Sequence, residues 1–344
     1  MTKKRIIFRA DAGSNMGMGH FMRCFAMAQM LKEEHICSFA LCSTNTFMEE
    51  LLSKEKIELI SLNAKESGVD DLYETLRSSD KTKDTVIVLD GYQFNRAYQE
   101  KIRSLGFPLV YIDDLVQARQ VADVIINPSD EANADQYLHA DTAKVFCGHE
   151  YLLLRTSFLD AAQHFKKEPI KKTDSVFLCM GAADPDNISD LLITAIGHTK
   201  PDTTIHFVTG SMNLNLPAIR SKYSGLKKLK THVDLGEKEL CELIKNCDMG
   251  VCAASTVSHE CGSIGIPMLC VLSAANQQGL YDSMIKNKLC FGLGDIRKMN
   301  ETTLRETLSV VLNDISGLNA QIEKQKKWFD GLSPQRIRKI VSEL

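Results

Sequence analysis

The stretch Arg5-Ile6-Ile7-Phe8-Arg9-Ala10-Asp11-Ala12-Gly13-Ser14-Asn15-Met16-Gly17-Met18-Gly19-His20 decides how the rest of the chain is read. Residues 5–9 form a short apolar run of strand type. Gly13, Gly17 and Gly19 then permit tight turns and close backbone approach. Beyond them, Phe21, Phe25, Ala28, Met30 and Leu31 recur at helical spacing, so a helix is expected over 19–33. A glycine loop thus joins a strand to a helix whose free N–H groups face the loop. His20 falls in the first helical turn, where the positive helix end favours a neutral imidazole able to accept a proton near pH 7. That suits a general base acting on water or a hydroxyl; the alternative is a His20 that only caps the helix. No Gly-Lys-Ser/Thr follows, so this is not a Walker A loop, and it is not Gly-x-Gly-x-x-Gly, so a dinucleotide site is not indicated.

Strand-type and helix-type runs alternate outward from this point. Further strands are expected at 36–42, 57–61, 85–90, 108–112 and 123–126, and the pattern restarts at 175–180, followed by 203–209, 229–232, 248–253 and 267–272. Such alternation predicts parallel sheets with helices on both faces. The expected architecture is α/β, with two Rossmann-like doubly wound domains facing a cleft. They divide as 1–165, carrying the histidine loop, and 175–330. Residues 166–174 are charged, contain Pro169 and lack an apolar period, so they are read as the linker. The tail is helical, with Pro334 as a start signal, and the helix of 331–344 is expected to pack back on the N-terminal domain.

Composition bounds the function. A chain of 344 residues is long enough for two cores. Its 44% apolar and 25% charged residues are those of a globular protein, and a net charge of −3 lacks the basic excess of a duplex nucleic-acid binder. The apolar run after Lys3-Lys4-Arg5 is too short for a signal sequence, and no stretch reaches a membrane span. A cytoplasmic protein is expected, with no membrane or nucleic-acid partner. The 11 cysteines include no Cys-x-x-Cys pair and read as reduced, buried small hydrophobes.

Ligands of doubly wound sheets bind at the carboxyl ends of strands, which directs attention in the second half to three places. Gly181-Ala182-Ala183-Asp184 offers small residues where a phosphate or the hinge could come close; a plain strand-to-helix turn is the alternative. Ala253-Ala254-Ser255-Thr256-Val257 opens a helix whose N-terminus is a natural phosphate seat, with Ser255 or Thr256 as N-cap. Glu260, one turn on, can accept two hydroxyl hydrogen bonds from a ribose diol, or is simply a solvated helix charge. Asn276, Gln277 and Gln278 place amides beyond the next strand, suited to sugar or phosphate hydroxyls.

In that order the motifs form a recognisable set. Phe8-Arg9-Ala10-Asp11 with Gly17-Met18-Gly19-His20 and Arg23, Asp90-Gly91-Tyr92, Ile112-Asp113-Asp114, Cys179-Met180-Gly181-Ala182-Ala183-Asp184, Ala254-Ser255-Thr256-Val257 with Glu260, and Asn276-Gln277 resemble the UDP-sugar hydrolases of pseudaminic acid (nonulosonate) biosynthesis. The resemblance runs from about residue 5 to about residue 290. These enzymes are in turn similar to the GT-B peptidoglycan N-acetylglucosaminyltransferase, which shares the Gly-x-Gly-His loop and the Glu followed by Gly-x-Pro. The resemblance implies a GT-B fold and hydrolysis of UDP-2,4-diacetamido-2,4,6-trideoxy-β-L-altropyranose to UDP and free sugar. It implies His20 as base, and Arg9, Asp11, Gly17, Gly19, Tyr92, Asn276 and Gln277 as substrate contacts. Gly181, Ser255, Thr256, Val257 and Glu260 become UDP contacts. Two departures stand out: Gly181-Ala182 where the family often has two glycines, and Asn127-Pro128-Ser129 where it commonly has Asn-Val-Asn.

The expected mechanism is attack of water on the anomeric carbon with C–O cleavage and inversion, without cofactor or metal, by a monomer acting on a small-molecule UDP-sugar. The adjacent Asp113-Asp114 pair could suggest a metal, but its side chains diverge on an extended chain. The alternatives are a GT-B UDP-sugar glycosyltransferase, a hydrolysing UDP-amino-sugar 2-epimerase, and a non-catalytic nucleotide-sugar-binding protein.

Overall fold

The computed structural model describes residues 3–10, 18–63, 72–78, 84–116, 120–137 and 143–344. The chain divides into two compact units, Met1–Thr156 with Leu332–Leu344, and Ser157–Gly331.

In the first unit, strands β1 (Arg5–Ala10), β2 (Ile36–Leu41), β3 (Glu58–Ser61), β4 (Thr85–Asp90), β5 (Leu109–Ile112), β6 (Val124–Asn127) and β7 (Lys144–Cys147) form one sheet in the order β3-β2-β1-β4-β5-β6-β7. Every pairing is parallel. Helices α1 (Gly19–Leu31), α2 (Thr46–Lys54), α3 (Leu72–Ser78) and α4 (Arg96–Arg103) lie between strands. β4 is buried along its whole length. That is why Val86-Ile87-Val88-Leu89 is continuously apolar: a parallel strand covered on both faces has no polar side. Asn45 and Asn95 accept from Met48 N and Tyr98 N, which fixes where α2 and α4 begin.

The second unit repeats the winding. It is built of α5 (Thr156–His164), β8 (Ser175–Cys179), α6 (Ile188–Thr199), β9 (Thr204–Thr209), α7 (Leu216–Lys222), β10 (Leu229–Val233), α8 (Glu237–Lys245), β11 (Met249–Ala253), α9 (Thr256–Ile264), β12 (Met268–Val271), α10 (Gln278–Lys286), β13 (Phe291–Gly294), α11 (Glu301–Asn313) and α12 (Ile315–Trp328). Its strand order, β10-β9-β8-β11-β12-β13, is that of the first sheet without the extra edge strand. The core runs through Val176, Leu178, Ile193, Phe207, Val251 and Leu269. The last helix, α13 (Ser333–Ser342), has Pro334 in its first turn and belongs to the first unit. There Lys4 Nζ donates to Val341 O at 2.9 Å and Arg338 Nε to Met30 O at 2.8 Å.

Two features differ from the sequence expectation. The segment 166–174 is not a free linker but part of the second unit. Lys167 Nζ donates to the carbonyls of Lys245 and Cys247 at 3.0 and 2.6 Å, and Ile170 exchanges two backbone hydrogen bonds with the amide of Asn319. The division falls instead at the start of α5. Strands β7 and β13 were also not expected; β7 is a short, half-exposed edge and β13 carries two glycines, so neither shows a strong apolar period. The cysteines are free thiols, buried except for Cys42 and Cys147. Among the described residues no helix is long and apolar enough to cross a membrane.

The turn after β8 is unusually tight. Gly181 adopts φ +94°, and a Cβ on Gly210 would lie 2.8 Å from Ala182 Cβ and 2.9 Å from its carbonyl oxygen. Ala182 therefore fits only because Gly210 has no side chain. Gly210→Ala is expected to lower the stability of the second unit by about 1–3 kcal/mol, the cost of overpacking, read as a fall in the urea midpoint; an unchanged midpoint would contradict this packing.

Candidate active site

Strand order reverses between β1 and β4 in the first unit, and the carboxyl ends of these strands mark the switch point where doubly wound sheets bind ligands. Ala10 and Asp90 are register partners at those ends. α1 starts at Gly19 soon after β1, so its first turn stands over the end of β4. His20 and Arg23, three residues apart, share one face of α1 and both reach Asp90.

The contacts are short. His20 Nδ1 lies 2.7 Å from Asp90 Oδ1. Arg23 grips the same carboxylate with two donors, Nε to Oδ2 at 2.9 Å and Nη2 to Oδ1 at 2.6 Å. Its third nitrogen, Nη1, donates to Asp114 Oδ2 at 2.7 Å. Tyr92 packs against the His20 imidazole, ring centroids 4.8 Å apart and nearly perpendicular, and its hydroxyl donates to Asp114 Oδ2 at 3.4 Å. Asp90 is fully buried, whereas Tyr92 is exposed.

The electrostatics follow from this geometry. Burial by itself pushes the Asp90 carboxyl up, but the Arg23 charge and the hydrogen bonds from His20 and Arg23 outweigh it and hold the group below the usual carboxylate range. Arg23 responds in the opposite sense: burial pulls it down, while Asp90 and Asp114 raise it well above its ordinary value. Cys24, next to Arg23 on the helix, is pushed well up by burial and by the Asp90 charge, which makes it an inert thiol.

The neighbouring carboxylates do diverge. Asp114 faces Arg23 and Tyr92. Asp113 turns into the sheet, accepts from Leu115 N and Val116 N at 3.2 and 3.1 Å, and takes the Tyr137 hydroxyl at 2.7 Å. Asn127 in turn donates to Tyr137 Oη at 2.8 Å. Asp113 therefore anchors the loop after β5. Among the described residues no group of three or more His, Cys, Asp or Glu side chains is arranged to hold a metal.

Of the other expected contacts in this unit, Gly19 opens α1 and is exposed. Arg9 is buried, its guanidinium 5.0 Å from the Phe94 ring centroid and its Nη2 3.1 Å from Cys42 Sγ. Asp11 and Gly17 lie outside the described residues.

In the second unit the switch point lies between β8 and β11. Gly181 follows the first of these strands and Ser255 the second. Ser255 is the N-cap residue of α9 by position, but its side chain makes no capping bond, so its hydroxyl does not occupy the helix N-terminus. Thr256 and Val257 form the first turn, which carries no acidic side chain. Glu260 is buried rather than a solvated helix charge. Asn276 is exposed on a short 3₁₀ turn, while Gln277 Oε1 accepts from the Ser273 backbone and hydroxyl, both at 3.0 Å. Asp184 caps α6 through Ile188 N and Ser189 N, at 2.9 Å each, and so has a structural task.

No protein-family model matches the chain. It is 24% identical over 259 residues to the UDP-2,4-diacetamido-2,4,6-trideoxy-β-L-altropyranose hydrolase of Campylobacter jejuni, covering 74% of this chain and 87% of that one. The chain resembles that hydrolase family. An uncharacterized protein of Methanocaldococcus jannaschii is 22% identical over 291 residues; the match covers 82% of this chain but spans only 58% of that protein. Among solved structures, Acinetobacter baumannii MurG superposes with a TM-score of 0.69 at 14% identity, covering 99% of this chain and 100% of MurG. The S. aureus MnaA–UDP complex gives 0.69 at 14%, covering 99% and 96%. At such identities the likeness is one of fold: the chain has the GT-B fold of two Rossmann-like domains.

Arg23 and Asp90 carry the resemblance to the hydrolases, yet residue types alone assign them no role. The available signal was the i, i+3 spacing of His20 and Arg23 together with an aspartate ending an otherwise apolar strand. Because the folded Asp90 carboxyl lies below its ordinary value of about 4, its stabilisation is fully present above that pH and is lost as pH falls through the lower folded value. The wild-type advantage over Asp90→Asn in urea unfolding should be flat above about pH 5 and shrink below about pH 4. A gap that widens on acidification would show that Asp90 is not held ionised.

Proposed function

We propose that the protein hydrolyses a UDP-linked diacetamido-trideoxy-hexose, UDP-2,4-diacetamido-2,4,6-trideoxy-β-L-altropyranose, to UDP and the free sugar, as a step of pseudaminic acid biosynthesis. The observation that carries this reading is an imidazole anchored on a buried carboxylate at the switch point of a GT-B domain. The similarity to the Campylobacter jejuni hydrolase supports the substrate and the reaction.

In this reading His20 takes a proton from water as the water oxygen bonds to the anomeric carbon. The carbon–oxygen bond to the diphosphate breaks on the opposite face, the electron pair leaves with UDP, and configuration inverts. The imidazolium then returns its proton to solvent. UDP is a good leaving group, so no acid is required. Tyr92, exposed beside the imidazole, is a wall for the sugar. The first turn of α9, with Ser255, Thr256 and Val257 and no acidic side chain, suits the diphosphate charge. The buried Glu260 suits the ribose hydroxyls, and Gly181 permits close phosphate approach. Asn276 and Gln277 are assigned to the sugar and phosphates, and Arg9, Asp11, Gly17 and Gly19 are assigned, from the resemblance alone, to substrate contacts. The monomer is the acting form, in the cytoplasm.

The test is incubation with a panel of UDP-diacetamido sugars and no acceptor, following UDP release and the anomer by NMR. Free sugar of inverted configuration is expected. UDP release only with an added acceptor would instead indicate a glycosyltransferase, a C2-epimeric product an epimerase, and binding without turnover a non-catalytic protein. His20→Ala should lower kcat by roughly 10²–10⁴, the usual worth of a general base, while UDP binding measured by calorimetry is retained. Unchanged turnover in that variant would remove His20 from the mechanism.

A further inference from the structure

We propose that Asp90 and Arg23 are positioning residues that lock His20 in the tautomer bearing its proton on Nδ1, so that Nε2 is the sole basic nitrogen. This deepens the hydrolase reading and rests on it for its catalytic consequence, though not for the tautomer itself.

Three groups converge on a small space, and hydrogen-bonding rules leave one neutral tautomer. A carboxylate can only accept and a guanidinium can only donate. Asp90 Oδ1 is 2.7 Å from Nδ1, while Arg23 Nη2 is 3.0 Å from the same nitrogen and 2.6 Å from Asp90 Oδ1. Were Nδ1 bare, its lone pair would face a buried carboxylate oxygen at hydrogen-bond distance with no proton between them. With Nδ1 protonated, imidazole and guanidinium both donate to Oδ1, as charge-assisted bonds of normal length, and the 3.0 Å approach is simply two donors sharing one acceptor. The second arrangement satisfies every group. The described hydrogen bonds of the ring all run through Nδ1, and in the hydrolase reading Nε2 is the nitrogen that meets the reacting water.

Arg23 makes the lock durable. It meets Asp90 with two parallel N–H donors, which fixes the plane of the carboxylate as well as its charge. Its third nitrogen, Nη1, holds Asp114. Asp90 stays a carboxylate that only accepts, held below the usual carboxylate range by the Arg23 charge and the hydrogen bonds from His20 and Arg23. The histidine–carboxylate arrangement of serine proteases works by the same tautomer logic.

The experiment is nitrogen-15 NMR of the His20 ring in the uniformly labelled full chain, its signals assigned by their loss in His20→Gln. In the wild-type protein above the pH of imidazole titration, Nδ1 should show the shift of a protonated ring nitrogen and Nε2 that of a bare one. Asp90→Asn, which can present an N–H to the ring, should reverse or mix the two. It should lower kcat on the UDP-sugar by roughly 10²–10⁴, with KM changed far less. Arg23→Lys, which keeps the charge but not the paired donors, should retain the tautomer and lose only part of kcat. A wild-type ring protonated on Nε2, or an Asp90→Asn variant with unaltered ring signals, overturns the proposal. The wild-type spectrum decides even where a variant fails to fold. A chain with the expected tautomer that turns over no UDP-sugar would instead sink the hydrolase reading and leave the lock standing.

Discussion

A carboxylate fully withdrawn from water is the constraint around which the first unit is arranged. An unpaired charge at the position of Asp90 would be several kcal/mol out of balance. Its neighbours must therefore supply donors and positive charge, and nearly all of both come from a single helix turn. The pairing ties the N-terminus of α1 to the carboxyl end of β4, two places far apart in sequence that the sheet order brings side by side. Rigidity here has a chemical effect. Any other rotamer of His20 or Arg23 would break bonds in a place where water cannot replace them.

The two units share a winding but solve different electrostatic problems with it. At the first switch point, charged side chains are brought together and balanced against one another. At the second, the first turn of α9 carries no acidic group, and the turn after β8 is built from Gly181, Ala182 and Ala183. Its positive character comes from backbone N–H groups and is fixed by the fold rather than by pH.

Much of this organisation was legible in the sequence. The long apolar strands could be placed to within a residue or two because burial on both faces leaves a continuous pattern, as in Val86–Leu89 and Val176–Cys179. His20 stood out because glycines preceded it and a helix followed. What escaped was contextual. β7 and β13 have too few apolar residues to announce themselves. Residues 166–174 look like a linker by composition, yet Lys167 and Ile170 are bonded to partners 78 and 149 positions away. The buried pairing of Asp90 with Arg23 could not be read from either residue alone, since whether a charge is paired inside or solvated outside depends on what lies across the sheet from it. Arg9 illustrates the same limit: its neighbours in sequence carry the motif, while its contacts include Phe94 and Cys42.

The return of α13 to the first unit bears on how the protein is made. Lys4 and Met30 near the beginning find their hydrogen-bond partners Val341 and Arg338 only near the end. A growing chain therefore cannot complete its earlier half when that half leaves the ribosome. The later half, contiguous from Ser157 to Gly331, can close first. The flank of α1 that α13 covers stays uncovered until the last helix is made.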